Sequence, residues 1–175
     1  MEDAIQHGVL DARSILRLIN GPELLLEGYL DLDLQLQPNG VDLTVSEVRQ
    51  LTSAGEVKAG PEPASIPNSR VLRFDDDGIV HLPRGAFLVQ LNEVVNLPCY
   101  LMALARPRSS LLRSGASVHT AVWDAGYSGR SQVLLTVHNP LGYRVGRDAR
   151  VVQMVFLALS RPTDGYSGRF QGENL

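Results

Sequence analysis

Short apolar runs separated by turn residues are what most limit the folds open to this chain. Arg70–Phe74, Gly78–Leu82, Ala86–Leu91, Leu101–Ala105, Val118–Trp123, Gln132–His138 and Val151–Leu159 are each strand-length and alternating or rich in β-branched residues. Asp75-Asp76-Asp77-Gly78, Pro83-Arg84-Gly85 and Asn139-Pro140-Leu141-Gly142 lie between them as turns. Upstream, the Gln37-Pro38-Asn39-Gly40 turn precedes Val41-Asp42-Leu43-Thr44-Val45, which has period two, and Leu24–Leu26 and Leu30–Leu36 are further short apolar or alternating pieces. This spacing predicts an all-β sandwich or barrel. One short N-terminal helix is expected, over residues 9–20. Asp11 can cap it, Ile15, Leu16, Leu18 and Ile19 give it an apolar face, and Asn20-Gly21-Pro22 stops it. Residues 53–69, rich in Gly, Pro, Ser and Ala, predict a loop or a hairpin with a long tip.

With 175 residues, 44% of them hydrophobic, the chain can bury one good-sized core, and residues 1–160 are expected to be a single β domain. The polar tail, 161–175, carries Gly165, Gly168 and Gly172 and is expected to stay flexible unless something orders it. No apolar run reaches the length of a membrane span. The start, Met1-Glu2-Asp3, is acidic where a signal peptide would be basic, and the one cysteine, Cys99, excludes an internal disulfide. These features predict a cytoplasmic protein with no membrane partner. A net charge of −3 supplies no general field for nucleic acid, so a polyanion must be held by local arginines. Nearly all the cations are arginine, with Lys58 the only lysine, and guanidinium forks suit phosphate oxygens.

The stretch Arg106–Asn139 gathers chemistry most densely. Arg106-Pro107-Arg108-Ser109-Ser110-Leu111-Leu112-Arg113 reads as a turn whose hydroxyls, backbone N–H groups and arginines can cradle an anion, or as a solvated turn. The apolar run Val118–Trp123 ends on Asp124, which either shapes the following turn or serves as a general base. Asp124-Ala125-Gly126-Tyr127-Ser128-Gly129 then turns into an alternating strand, with Tyr127 an edge aromatic or a ligand wall. An anion cradle, an acid and an aromatic beside a glycine turn are what a nucleoside triphosphate site needs.

These pieces, with Val9–Ile19, Gln37–Leu43, Leu82–Gly85, Arg150–Phe156 and Tyr166–Gly172, occur in an order that resembles the dCTP deaminase and dUTPase superfamily, and within it the archaeal-type dUTPases. The resemblance implies a distorted β jelly roll that assembles as a homotrimer, with sites at subunit interfaces and dUTP as substrate. It implies that Ser109, Ser110 and Arg113 hold the triphosphate and that Asp124 is the catalytic aspartate. Tyr127 would pack beside the deoxyribose and leave no room for a 2′-hydroxyl. The backbone of Ser117 to Val122, with Thr120, Ala121 and Val122 in contact, would pair the uracil edge. Tyr166, Arg169 and Gln171 would belong to a C-terminal lid that orders on binding. The implied cofactor is Mg²⁺, held mainly by substrate phosphates and water rather than by a protein cage.

One departure separates two reactions. Deaminases that this chain resembles carry a glutamate in the strand after the turn, where Leu135-Thr136-Val137-His138-Asn139 puts Thr136. No acid lies between Asp124 and Asp148, and threonine cannot shuttle protons at neutral pH. Zinc-dependent deamination is excluded by one cysteine and by the spacing of His7, His81, His119 and His138. The expected function is a dUTP diphosphatase. The alternatives are a dCTP deaminase, alone or bifunctional, and a non-catalytic jelly roll that binds nucleotide or a partner protein.

Overall fold

The computed structural model describes residues 8–175; Met1-Glu2-Asp3 and His7 lie outside them. In chain order the elements are β1 (Gly8–Val9), α1 (Ala12–Asn20), β2 (Leu26–Glu27), α2 (Leu32–Gln35), β3 (Leu36–Gln37) and β4 (Gly40–Leu51). Then follow β5 (Ser69–Leu72), β6 (Ile79–Leu82), β7 (Gly85–Leu91), β8 (Val94–Asn96), β9 (Leu101–Pro107) and α3 (Ser109–Arg113). The chain continues through β10 (Ala116–His119), β11 (Ser128–Gly129), β12 (Gln132–Val137), β13 (Tyr143–Gly146) and β14 (Arg150–Ala158).

Every strand pairing is antiparallel, and the main curled sheet runs β1-β14-β4-β7-β12-β10, with β3 and β5 on β4 and β9 on β14. Two small sheets, β11-β8-β2 and β13-β6, complete a distorted jelly roll. The spine is β4. Its first half, Gly40 to Val45, is buried on both faces, whereas in its second half Val48 alone is buried. Register shifts on both sides of it, at Val45/Glu47 against β7 and at Arg150/Val152 on β14, bend the sheet. The core is mainly aliphatic, with Leu43, Leu82, Leu91, Leu101, Leu135 and Met154 fully buried beside the aromatic Phe156.

The predicted helix is present but shorter. Asp11 caps it by accepting from Ser14 N at 2.9 Å, so helix geometry begins at Ala12, and Gly8–Val9 instead pairs with β14. Leu30–Leu36 holds the single-turn α2, capped by Asp31. Arg106–Arg113 is not a plain turn: Ser109–Arg113 is a short helix on the end of β9.

A buried polar network lies beneath the spine. The Gln35 side-chain carbonyl accepts from Leu30 N (2.8 Å) and Asp31 N (3.0 Å), and its amide donates to Asp42 O (2.9 Å) and Glu93 Oε1 (2.7 Å). Glu93, fully buried, also accepts from Thr44 N and Oγ1 at 3.0 and 2.6 Å. Burial pushes its carboxyl above the ordinary range, while these donors pull the other way. Gly40 sits where β4 presses on β14, and a Cβ there would lie 2.2 Å from the Met154 carbonyl oxygen. Because that obstacle is backbone in the middle of the sheet, Gly40→Ala should lower stability by about 1–3 kcal/mol, the range for overpacked cores. Chemical denaturation of the two proteins would measure it.

Candidate active site

The hairpin that begins as β10 and β12 does not stay paired. Its ladder runs from Ala116↔Val137 to His119↔Leu134 and stops. The run Val118–Trp123, read as one strand from sequence, leaves the ladder after His119 because Trp123 bonds β9 instead. Trp123 N donates to Ala103 O (3.1 Å), and Ala103 N donates back to Trp123 O (2.9 Å). Among the described residues no backbone group pairs with the amides or carbonyls of Ala121 and Val122, and both residues are exposed.

Asp124 follows at the turn. Its carbonyl accepts from Tyr127 N at 3.1 Å, so the backbone makes the turn. Its carboxylate is exposed, and no donor among the described residues reaches it. The side chain is therefore spare for chemistry.

Gly126, at φ +81°, lets the chain reverse beneath the tail; a Cβ there would lie 2.7 Å from Gly165 Cα. Tyr127 is buried, its hydroxyl set between Ser131 and Glu173. The Trp123 indole donates to Ser131 Oγ (2.6 Å), Ser131 and Tyr127 share a 2.9 Å bond, and Tyr127 donates to Glu173 Oε1 (2.8 Å). Burial, and then the adjacent Glu173 carboxylate, hold the Tyr127 phenol protonated well above its usual range.

The tail lies on this turn, ordered by its own chain. Tyr166 N donates to Ala125 O (2.7 Å), Gly172 N to Ser128 O (2.8 Å), and Arg130 N to Glu173 O (2.9 Å). The Gln171 amide accepts from Ser128 N (3.1 Å) and donates to Gly126 O (3.0 Å). Arg169 reaches the loop instead, donating to Ala64 O at 2.8 Å. Tyr166 meets the Tyr127 ring edge-on at 6.0 Å.

Hairpin and tail enclose a cavity of about 410 Å³. Its walls are Leu88 and Gln132 from the sheet, Ala121 to Asp124 and Tyr127 from the hairpin, Tyr166, Phe170 and Glu173 from the tail, and Ile66 from the loop. An apolar enclosure of this size with a few converging polar groups suits a small molecule, for which sites run to about 300–1,000 Å³.

The structure thus brings together Ala121, Val122, Asp124, Tyr127 and Tyr166 of the residues singled out from sequence. Thr120 stands beside the opening, its hydroxyl 3.5 Å from Ala105 O. Ser109, Ser110 and Arg113 do not line the cavity of their own chain; all three are exposed on α3. Sequence reasoning missed Gln132, Glu173, Phe170, Leu88 and Ile66. A glutamine in an alternating strand gives no signal of which face meets a cavity.

Behind α3 stands a charge cluster. The Asp42 carboxylate, nearly inaccessible, meets Arg108 Nε at 3.0 Å and Arg150 at 3.4 Å. Burial raises its carboxyl and the two guanidiniums lower it, burial being the larger effect. Arg108 is thereby a structural anchor for the start of α3, held also by Arg108 N donating to Val151 O at 3.1 Å. On the exposed face of β10 and β12, Thr136 Oγ1 lies 3.1 Å from His119 Nε2 and 3.4 Å from His138 Nε2. Among the described residues, no trio of histidine, cysteine or carboxylate side chains could hold a metal.

Fold and site define a jelly roll with a nucleoside-sized cavity closed by its own C-terminal segment and a spare carboxylate at its mouth. The chain belongs to the dCTP deaminase-like family, which it matches over residues 9–159. It is similar to the probable deoxyuridine 5′-triphosphate nucleotidohydrolase of Methanosarcina acetivorans, 43% identical over 95% of this chain and 98% of that one. The protein of the same description from Archaeoglobus fulgidus is 47% identical over the same shares. Among solved structures, the 2′-deoxycytidine 5′-triphosphate deaminase of Agrobacterium tumefaciens superposes with a TM-score of 0.68 at 25% identity. That match covers 87% of this chain and 49% of the deaminase chain, so this chain spans about half the deaminase's length.

Glu173 gives the docked tail a pH dependence. Burial raises its carboxyl above the ordinary 4.5, although Tyr127 donates to it. The docked state therefore binds the proton more tightly than the free tail, so docking strengthens as pH falls through the raised value and weakens as pH rises through it. Hydrogen exchange at Gly172 and Arg130 should slow toward acid beyond the intrinsic trend, and Glu173→Gln should abolish that excess.

Proposed function

We propose that this protein is a dUTP diphosphatase, converting dUTP and water to dUMP and pyrophosphate. The observation that carries the reading is the unpartnered Asp124 carboxylate at the mouth of an apolar, nucleoside-sized cavity. Descent with relatives described as dUTP nucleotidohydrolases supports the choice of substrate. Asp124 accepts a proton from a water whose oxygen attacks the α-phosphorus. The bond from that phosphorus to the bridging oxygen breaks, and pyrophosphate leaves with the electron pair. Positioning and charge stabilisation supply most of the rate in such transfers. The cavity holds the nucleoside, with the unpaired backbone of Ala121 and Val122, beside Thr120, toward the base and Tyr127 toward the sugar. Residues 161–175 act as a lid on the 1–160 domain, in which Tyr166, Arg169 and Gln171 close over the nucleotide and exclude water.

Ser109, Ser110 and Arg113 serve as the phosphate cradle of a neighbouring subunit's cavity in a homotrimer. Their exposure supports this, as does the absence of any carboxylate within ion-pair distance of Arg113 among the described residues. The donor set fits Mg²⁺ only as a cation that arrives with the triphosphate: Asp124 offers one carboxylate, and no protein cage accompanies it. When bound, Mg²⁺ would screen the phosphate charge. The cytoplasm is the compartment we infer, in keeping with an exposed free thiol at Cys99.

A second reading, dCTP deamination, is favoured by the likeness to the Agrobacterium tumefaciens enzyme. It is opposed by Thr136, whose neighbours on that face are histidines and no carboxylate.

Following pyrophosphate and ammonia from dUTP and dCTP, each supplied separately with Mg²⁺, tests the reading. We expect pyrophosphate from dUTP alone, and Asp124→Asn to bind nucleotide without turnover. Ammonia from dCTP would favour the deaminase, and tight dUTP binding with neither product would favour a non-catalytic binding protein. A shared site makes a further demand. Asp124→Asn and Arg113→Ala should each be inactive alone yet regain part of the activity when unfolded and refolded together, because a mixed trimer can assemble one intact site. No recovery in trimers shown to be mixed would put both residues in one subunit's site.

A further inference from the structure

We propose that Gln132 reads the pyrimidine edge and that Gln90 fixes the way it reads; this rests on the cavity being the dUTP site argued above. Where β10 leaves the ladder after His119, β12 continues two residues further back toward its start, to Val133 and Gln132. On one side these two still pair with Val89 and Gln90 of β7; on the other the hairpin has opened. The Gln132 side chain lines the cavity at this opening, beside Ala121 and Val122.

The cavity has few other polar groups. Asp124 stands at its exposed mouth, and Glu173 is engaged by Tyr127. The Trp123 indole is taken by Ser131, the Tyr127 hydroxyl by Ser131 and Glu173, and the Tyr166 hydroxyl accepts from Phe170 N, so Gln132 is the side-chain amide placed to meet an uncharged base.

A primary amide presents a donor and an acceptor side by side, as does the edge of uracil, where N3–H donates and O4 accepts. Cytosine reverses the order, its N3 accepting and its N4 amino group donating. An amide free to turn over would pair with either. Here Gln132 Nε2 donates to Gln90 Oε1 at 3.4 Å across the β12–β7 pair. That contact holds the nitrogen on the Gln90 side, so the amide presents one sense rather than two. In the sense proposed for Gln132, its remaining N–H meets O4 and its carbonyl oxygen meets N3–H. Presenting cytosine to it would set donor against donor and acceptor against acceptor, and unmatched buried polar groups are how such sites reject the wrong ligand.

Two substitutions separate the roles. Gln132→Leu removes the reading group, and Gln90→Leu leaves it in place but free to turn. Pyrophosphate release from dUTP and dCTP gives kcat/KM for each, and titration with dUMP and dCMP gives binding without turnover. Gln132→Leu should lower kcat/KM for dUTP about 10- to 100-fold, the discrimination typical of one paired amide, with little change for dCTP. Gln90→Leu should keep most dUTP turnover while narrowing the preference for uracil, because cytosine becomes readable. Thermal melting of both variants monitors the fold, and Gln132→Glu, nearly isosteric, serves if Gln132→Leu does not fold. Its carboxylate lacks the donor and should likewise lose the preference. If the wild type hydrolyses dUTP and the preference survives at both positions, this inference is overturned and the dUTP reading stands. If the wild type does not act on dUTP, both are overturned.

Discussion

Two backbone hydrogen bonds between Trp123 and Ala103 make the site possible. A hairpin strand that stayed in its ladder would satisfy its own amides against β12 and present a closed sheet. By bonding to β9 instead, Trp123 draws the chain away from β12 after His119 and frees the groups of Ala121 and Val122. The indole then fastens the opened limb from within by donating to Ser131, which passes the connection to Tyr127 and Glu173. The bridge, the opening, the position of Asp124 one residue later and the seat for the tail are consequences of one change of partner. Trp123 is buried, so the bridge lies away from competing water.

Charge is arranged on a second centre, separate from the first. Asp42 is buried in the spine strand and shared by Arg108 and Arg150, so it leaves one positive charge in excess beside α3. A buried carboxylate without those guanidiniums would be costly, and a pair of arginines without the carboxylate would repel. Each therefore fixes the other, and the start of α3 is fixed with them. The chain carries a net charge of −3, so this local excess is what an anion would find. Within one chain, α3 contributes no residue to the cavity that Asp124 borders.

Much of this was legible from sequence, for identifiable reasons. The strands that alternate over six or more residues, such as β7, β12 and β14, were read to within a residue or two, because a half-buried sheet leaves a period-two record. Asp11 was read as a cap because a cap is a local interaction. The two-residue strands β2 and β11 were invisible, since a pair of residues carries no periodicity. Val118–Trp123 misled for a different reason. Its apolar character was real, but two strands, β12 and β9, compete for it, and composition does not record which partner wins. The helical turn Ser109–Arg113 was hidden by paired serines, which favour turns and caps over helix interiors. The tail left least trace. It docks mainly through backbone groups, a glutamine amide and a carboxylate, with Tyr166 as a lone aromatic contact that leaves no periodic apolar face, and its glycines read as flexibility when their use is close approach, Gly165 against Gly126.

The docked tail also bears on how such a site could work. Its hydrogen bonds to Ala125, Ser128 and Arg130 hold it to the turn without help from a ligand. Arg169, by contrast, spends its guanidinium on the Ala64 carbonyl, a neutral acceptor, and stacks loosely toward Phe170 at 5.8 Å. A guanidinium on a neutral carbonyl gains less than one on a phosphate, where charge assistance roughly doubles the bond. The two contacts therefore differ in kind: the Tyr166 and Gln171 attachments set where the tail lies, whereas the Arg169 attachment is readily exchanged for an anion. In the lid proposed above, an anion at Arg169 displaces one weak hold on the loop, while the backbone attachments to Ala125, Ser128 and Arg130 stay in place.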